Sequence, residues 1–208
     1  MTMRFDSRAA RRSATAVLLS LALIALAEAR SSQALAVTET YKIDPEHTNV
    51  GFRIRHFFSK VPGRFNKFEG VITLDREELS KGSVEITIDA ASIDTNEAAR
   101  DKHLRSADFF DVEKHPTITF KSIRVSKASE NRLKVEGNLT IRGVTKPVTL
   151  DVDVLGFGKG YGFRGAFEAR TTIDRQDFGV SWNDIVEGAG VLGNDVEIAL
   201  DVEAVRQP

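Results

Sequence analysis

The chain has 208 residues, of which 41% are hydrophobic and 28% charged, and its formal net charge at pH 7 is −1. That balance argues against nucleic-acid binding, which usually requires a strongly basic domain. The sequence contains no cysteine, which excludes a disulfide scaffold, a thiolate nucleophile and a lipid-modified cysteine anchor.

The first 36 residues have the pattern of a secretory signal peptide. Several arginines precede an apolar stretch, Ala14 to Ala27, which has the length of a signal-peptide core and is too short to span a bilayer. Ala34-Leu35-Ala36 fits the small-x-small cleavage rule, and Arg11-Arg12 leaves the general and twin-arginine export routes both open. We therefore predict a signal peptide over residues 1–36, a mature domain over residues 37–208, and a periplasmic or secreted location after cleavage near Ala36.

From Tyr41 onwards, apolar and polar residues alternate with a period of two, as in half-buried strands. Eight such runs are separated by turn residues and are centred on residues 50–54, 65–74, 84–88, 118–125, 133–141, 148–154, 163–169 and 196–202. In the fourth run the apolar phase shifts from Phe120 to Ile123 and Val125, which predicts a β-bulge. Each run has one apolar face and most connections are short, so we predict an antiparallel up-and-down sheet closed into an eight-stranded barrel.

One stretch between the third and fourth runs lacks this alternation. Asn96 to Arg105 is dense in charge and contains neither glycine nor proline. This predicts a short helix with Thr95 or Asn96 as N-cap and Glu97 in its first turn. The helix is followed by the adjacent rings of Phe109 and Phe110, and we expect this insert to form a plug or rim at one end of the barrel.

The predicted inward face mixes large and small residues. Phenylalanines alternate along it with Gly70, Gly137, Gly165 and Ala169. This mixture could leave room for a lumen that holds one small ligand, or it could be a taper filled by packing, and both interpretations stay open. The outward face carries charges on nearly every run, and one tryptophan and two tyrosines are too few for the aromatic girdles of an outer-membrane barrel.

No motif in the sequence points to catalysis or to a metal or cofactor. The four histidines show neither H-x-H nor H-E-x-x-H spacing. Asp101, His103 and Ser106 look like a triad along the chain, but Asp101 and His103 would point to opposite sides of a helix. We therefore predict no catalytic residues, no metal site and no cofactor, although an enzyme assembled from distant residues remains an alternative.

Several longer motifs resemble the YceI-like proteins, a family of exported bacterial polyisoprenoid-binding proteins. They are Phe52-Arg-Ile-Arg-His-Phe-Phe-Ser-Lys60, Gly63-Arg-Phe-Asn-Lys-Phe-Glu-Gly70, Ser92-Ile-Asp-Thr-Asn96, Arg100-Asp-Lys-His-Leu-Arg-Ser-Ala-Asp-Phe-Phe-Asp111, Gly137-Asn-Leu-Thr-Ile-Arg-Gly-Val-Thr-Lys-Pro147 and Ile173-Asp-Arg-Gln-Asp-Phe-Gly179. The resemblance covers the predicted mature domain. It implies an all-β, eight-stranded antiparallel lipocalin-like barrel with a short helix inserted after the third strand.

The resemblance also implies a function. The lumen would hold a polyisoprenoid, an isoprenoid quinone or another long-chain amphiphile, for transport, storage or sequestration, without catalysis or stable membrane insertion. Alternatives are a packed barrel that acts through its surface as a periplasmic stress or interaction module, and an enzyme on a lipid-like substrate. A homodimer is also left open.

The ligand-binding residues are predicted from the alternation, with two polar residues near the barrel end, His56 and Arg100, as candidates to orient a head group. The full predicted set is Phe52, Ile54, His56, Phe68, Ile72, Ile86, Arg100, Phe109, Phe110, Ile118, Phe120, Leu139, Leu150, Val152, Phe163, Phe167 and Ile198.

Overall fold

A computed structural model describes residues 38–186 and 189–208. The predicted signal peptide and its cleavage site after Ala36 lie outside the described residues. Within the described part of the chain, no helix is long and apolar enough to cross a membrane.

The described residues form thirteen β-strands and one α-helix, α1, over Ala98–Arg105. In chain order the strands are β1 Glu39–Ile43, β2 Asn49–His56, β3 Ser59–Phe65, β4 Phe68–Leu74, β5 Ser83–Asp89, β6 Ile93–Asp94, β7 Thr117–Ser129, β8 Arg132–Ile141, β9 Val144–Gly160, β10 Gly162–Asp174, β11 Ile185–Val186, β12 Ala189–Gly190 and β13 Leu192–Arg206. Short 3₁₀ turns at Leu79–Lys81, Ala90–Ser92 and Arg175–Phe178 connect some of them.

The sheet closes because β13 pairs with both β10 and β1. The 15-residue strand β13 bonds β1 through its C-terminal end and β2 through its N-terminal part, so β1 and β2 together form one wall segment. Strands β3 and β4 together form the next wall segment, because β3 pairs with β2 and β4 pairs with β1. Counted by wall segments, the sheet is the predicted eight-stranded antiparallel barrel, and this prediction is confirmed.

The alternation in sequence becomes an alternation of burial across the barrel wall. Along β8 the inward residues Leu133, Val135, Leu139 and Ile141 are buried, while Lys134 between them is exposed. On the outside, Lys134 donates to Asp151 of the neighbouring strand at 2.7 Å. Exposed cross-strand pairs of this kind stabilise the sheet only slightly, so the inward apolar face provides most of the driving force.

The predicted bulge in the fourth run is confirmed, but the extra residue in it, Ile123, faces outward. Ser122 pairs with Gly137 and Arg124 with Glu136, which leaves Ile123 as the extra residue. Its side chain is 68% exposed, so the prediction that Ile123 shares the inward face was wrong. The extra residue shifts the inward–outward alternation of the residues that follow it by one position, so Val125 resumes the inward face.

Helix α1 follows the third wall segment, as predicted, but its N-cap is Glu97 rather than Thr95 or Asn96. The Glu97 carboxylate accepts hydrogen bonds from the free backbone N–H groups of the first turn, at 3.1 and 2.6 Å. Asn96 has a φ of +60°, outside the helical region. Thr95 is bonded elsewhere, because its N–H and hydroxyl both donate to Asp101, at 2.9 and 2.5 Å.

At two of the small inward residues, an aromatic ring packs directly against the backbone. A Cβ at Gly137 would lie 2.4 Å from the Phe120 ring, and one at Gly165 would lie 2.9 Å from the Phe157 ring. Phe157 in turn packs against fully buried Tyr41, with ring centroids 6.0 Å apart. Part of the large–small alternation is therefore a packed taper, which was one of the two interpretations of the sequence.

Candidate ligand-binding cavity

The barrel interior is not filled completely. A cavity of about 600 Å³ extends from the connection between β4 and β5, where Leu79 and Ser83 line it, to the helix α1, where Arg100 and Leu104 line it. This volume lies within the range of about 300–1,000 Å³ typical of small-molecule sites. The interior therefore combines the two interpretations of the sequence, a packed taper in one part and a lumen in the other.

Strands from all around the barrel contribute to the cavity wall, and the strand contribution is almost entirely apolar. Its apolar side chains include Val50, Phe52, Ile54, Ile72, Val84, Ile86, Ile88, Ile118, Phe120, Val125, Leu133, Val135, Leu139, Ile141, Val148, Leu150, Val152, Phe167, Ala169, Ile173, Val196, Ile198, Leu200 and Val202. A wall of this chemistry favours a hydrocarbon chain over any polar solute, because transferring apolar surface out of water is the main favourable term available.

All of the sequence-predicted site residues line this cavity except Phe68 and Phe163. Phe68 follows the break between β3 and β4 and packs, partly buried, against the core. Phe163 lies at the far end of the barrel, where its ring is stacked with the guanidinium groups of Arg76 and Arg206, each 4.9 Å from the ring centroid. These two phenylalanines therefore lie inside the barrel without lining the cavity, and ligand contact stays a prediction for the whole set.

A cluster of charged and aromatic residues lies at the barrel end around Phe163, with Glu39 and Tyr41 buried and two arginines partly open to solvent. We call Glu39, Tyr41, Arg76, Arg206 and Phe163 the polar plug. The Glu39 carboxylate accepts hydrogen bonds from Arg76 at 2.8 and 3.0 Å, from Arg206 at 2.9 Å and from the Tyr41 hydroxyl at 2.6 Å. Burial by itself would raise the pKa of Glu39, but these bonds outweigh it and lower the pKa from 4.5 to about 2. Burial and the adjacent carboxylate raise the pKa of Tyr41 to about 12.

The opposite end, which we call the rim, carries the helix α1 and polar side chains. The Arg100 guanidinium donates to the hydroxyl and the carbonyl oxygen of Thr95, at 2.7 and 2.8 Å, and to no carboxylate among the described residues. The His103 ring lies between Phe109 and Trp182, with centroids 5.0 and 4.8 Å away. Arg100 and His56 therefore bring polar groups to the cavity at this end, and their contact with a head group stays a prediction.

Two arginines that the sequence analysis did not select hold the rim loops in place. Arg142 donates to the carbonyl oxygens of Phe109 and Gly179, each at 2.9 Å, and of Ala107 at 2.8 Å. Arg175 lines the cavity and is only 4% exposed. It donates to the main chain of both neighbouring loops, and burial lowers the pKa of its guanidinium.

Trp182, the single tryptophan of the chain, also lines the cavity and was missed. It belongs to a segment without alternation, between β10 and β13, so periodicity carried no signal for it. Arg175 follows the last alternating residue of its strand and was missed for the same reason. A lone tryptophan beside a glycine-rich segment was the one available hint.

The apparent triad of the helix does not assemble. His103 contacts Asp108 at 2.8 Å through Nε2, whereas Asp101 is buried against Thr95. The Ser106 hydroxyl donates to the main-chain oxygen of His103 at 2.8 Å and does not face the imidazole. These three residues therefore lack the nucleophile–base contact that such chemistry requires.

Comparison with known proteins places this barrel in a family. The chain is 43% identical over 192 residues to a UPF0312 protein of Pseudomonas paraeruginosa, covering 90% of this chain and 97% of the relative. The crystal structure of BcnA from Burkholderia cenocepacia superposes with a TM-score of 0.72 at 26% identity, covering 78% of this chain and 99% of that one.

A polyisoprenoid binding domain from Saccharophagus degradans superposes with a TM-score of 0.60, covering 80% of this chain and 98% of that one. At 14% identity, this likeness is one of fold. The family model for the YceI-like domain matches residues 41–204, which is the whole barrel from β1 into β13. The chain therefore belongs to the YceI-like family.

Proposed function

We propose that this protein is a non-enzymatic carrier that holds a long isoprenoid chain, or a similar amphiphile such as an isoprenoid quinone, inside the barrel. The observation that carries the proposal is the apolar cavity of about 600 Å³, which runs from the β4–β5 connection to the rim. Its polar lining is concentrated at the ends, so the hydrocarbon part of a ligand would occupy the barrel and a polar head would lie near Arg100 and His56.

The energetics favour long chains. Each methylene group taken out of water contributes about 0.8 kcal/mol, and the loss of translational and rotational freedom on binding costs several kcal/mol or more. Chains of only a few carbons would not offset that cost, whereas a chain long enough to span the barrel would. We therefore expect affinity to rise with chain length and to depend weakly on the head group.

The fold comparison supports the ligand class. The Saccharophagus degradans domain, whose barrel resembles this one, is described as polyisoprenoid-binding. For this chain the ligand class is our inference, carried by the cavity wall and not by that likeness alone.

We further propose that the protein works outside the cytoplasm after removal of residues 1–36. The basic and apolar leader pattern and the small-x-small site ending at Ala36 support this location. An extracytoplasmic carrier of this kind would move, store or sequester lipids in an aqueous compartment. N-terminal sequencing of the protein recovered from the periplasmic fraction is expected to begin at Val37; an intact leader on the native protein would contradict the proposal.

The test of the ligand class is mass spectrometry of an organic extract of the protein purified from its native compartment. We expect a prenyl lipid or isoprenoid quinone in about one-to-one ratio with protein. Protein found empty is then titrated with a polyprenol, with a fatty acid as the competing class. An empty extract together with no polyprenol uptake would refute the carrier function and favour a barrel that acts through its surface.

A further inference from the structure

The tip of the hairpin between β2 and β3 exposes two aromatic rings at the rim. Phe58 is 104% exposed and Phe57 is 44% exposed. Their neighbour His56 lines the cavity and pairs with Leu192, another cavity residue. The Phe57 N–H donates to the main-chain oxygen of Val191 at 2.9 Å. The exposed rings therefore lie directly beside the end of the cavity.

The backbone at this tip adopts a conformation that is unfavourable for an aromatic residue. His56 pairs with Ser59, so Phe57 and Phe58 form a two-residue turn. Phe57 adopts a φ of +50°, at a turn position normally occupied by glycine, asparagine or aspartate. A bulky ring in a left-handed conformation, beside a second ring in water, is unfavourable in the isolated protein. Such a feature indicates a partner that covers it.

The charge around the tip indicates the kind of partner. Between residues 48 and 68 the chain carries five lysines and arginines and no acidic residue. Lys60 is paired with Glu197 and Arg64 with Asp94. Arg53 and Arg55 are exposed and have no carboxylate partner among the described residues, and Arg55 instead donates to the Phe57 carbonyl oxygen at 3.0 Å. Aromatic rings flanked by unpaired arginines match the chemistry of an anionic bilayer surface.

We propose that the Phe57–Phe58 tip, with Arg53 and Arg55, docks the rim of the barrel onto a membrane surface that contains anionic lipids. The rings enter the interface between head groups and acyl chains, and the guanidinium groups contact lipid phosphates. Docking in this orientation faces the cavity end towards the bilayer, so a lipid chain can pass between them without crossing water. The passage of a lipid chain rests on the proposed function, whereas docking to the membrane does not.

The test is co-sedimentation of the protein with vesicles of phosphatidylglycerol and phosphatidylethanolamine, and with vesicles of phosphatidylcholine alone. We expect binding to the anionic vesicles that weakens as salt is raised. Phe58→Ser should lower the partition constant about tenfold or more, because it removes a fully exposed ring that only the membrane buries. Arg53→Gln should lower it about fivefold on anionic vesicles and leave binding to phosphatidylcholine unchanged.

The chain offers a matched control at the other end of the barrel. Tyr161, in the hairpin between β9 and β10, is 95% exposed, so Tyr161→Ser removes a similar ring without touching the rim. Equal vesicle binding by Phe58→Ser and Tyr161→Ser would overturn the proposal. So would a dimer that Phe58→Ser dissociates without any vesicle binding, because the tip would then be a homodimer interface. Ligand titration of Phe58→Ser, expected to match the native protein, separates a failure of docking from a failure of the carrier function.

Discussion

Filling the cavity from its wall should abolish ligand binding without unfolding the barrel. Ala169 on β10 is 6% exposed and lines the cavity, so Ala169→Phe projects a ring into space that the protein leaves empty. The substitution adds six ring carbons, which would exclude roughly six ligand carbons. At about 0.8 kcal/mol each, the loss is about 5 kcal/mol. Since a tenfold change in Kd corresponds to about 1.4 kcal/mol, binding should weaken by more than a thousandfold.

Trp182 provides the assay, because it is the single tryptophan and it lines the cavity near the rim. Its fluorescence should change on titration with a polyprenol in the native protein and stay constant in Ala169→Phe. The matched control is Ala199→Phe, which places the same ring on the exposed outer face one strand away. Thermal unfolding establishes that both variants are folded. If folded Ala169→Phe binds polyprenol with the native Kd, the cavity is not the ligand site and the reasoning fails.

Two further predictions concern the barrel ends. The carboxyl of Glu39 has a pKa of about 2 in the fold and 4.5 as its ordinary value, so it stabilises the fold above pH 4.5 and loses that contribution as pH falls towards 2. Glu39→Gln should therefore cost up to about 3 kcal/mol in urea unfolding at neutral pH, with the difference shrinking towards pH 2; a pH-independent difference would contradict this. Arg142→Met removes three hydrogen bonds to rim carbonyls and should destabilise the protein by about 2–3 kcal/mol. Hydrogen exchange should accelerate around Phe109 and Gly179 and not along β8, whereas a uniform change would refute a local role.

Much of the barrel follows from local periodicity. Alternation along each run determined which residues face inward, because side chains in a strand point to opposite sides with a period of two. A closed apolar face then required a barrel, and the break in alternation located α1. The fourth-run phase shift even located the bulge, although not the outward facing of Ile123.

Local sequence did not reveal the side-chain hydrogen bonds that override the preference of single residues for a structural position. Thr95 is a good N-cap residue, but its hydroxyl accepts from Arg100 and donates to Asp101, and Glu97 caps the helix instead. Trp182 and Arg175 reach the cavity from segments without periodicity. Arg175 is held by main-chain carbonyl oxygens of the loops that follow it. Trp182 packs against His103 and Phe109, more than seventy positions away, which no window of neighbouring residues contains.

The sequence by itself determined which side of the barrel wall each residue faces, and only the tertiary structure decided its position along the barrel axis. Phe163 and Phe167 share a face of β10, yet Phe167 lines the cavity while Phe163 belongs to the polar plug. Height along the barrel axis depends on how the strands are staggered when the sheet closes. That stagger is set by the pairing of β13 with β1 and β2, residues more than a hundred positions apart. A period of two distinguishes inside from outside, and it contains no information about which end of the barrel a side chain occupies.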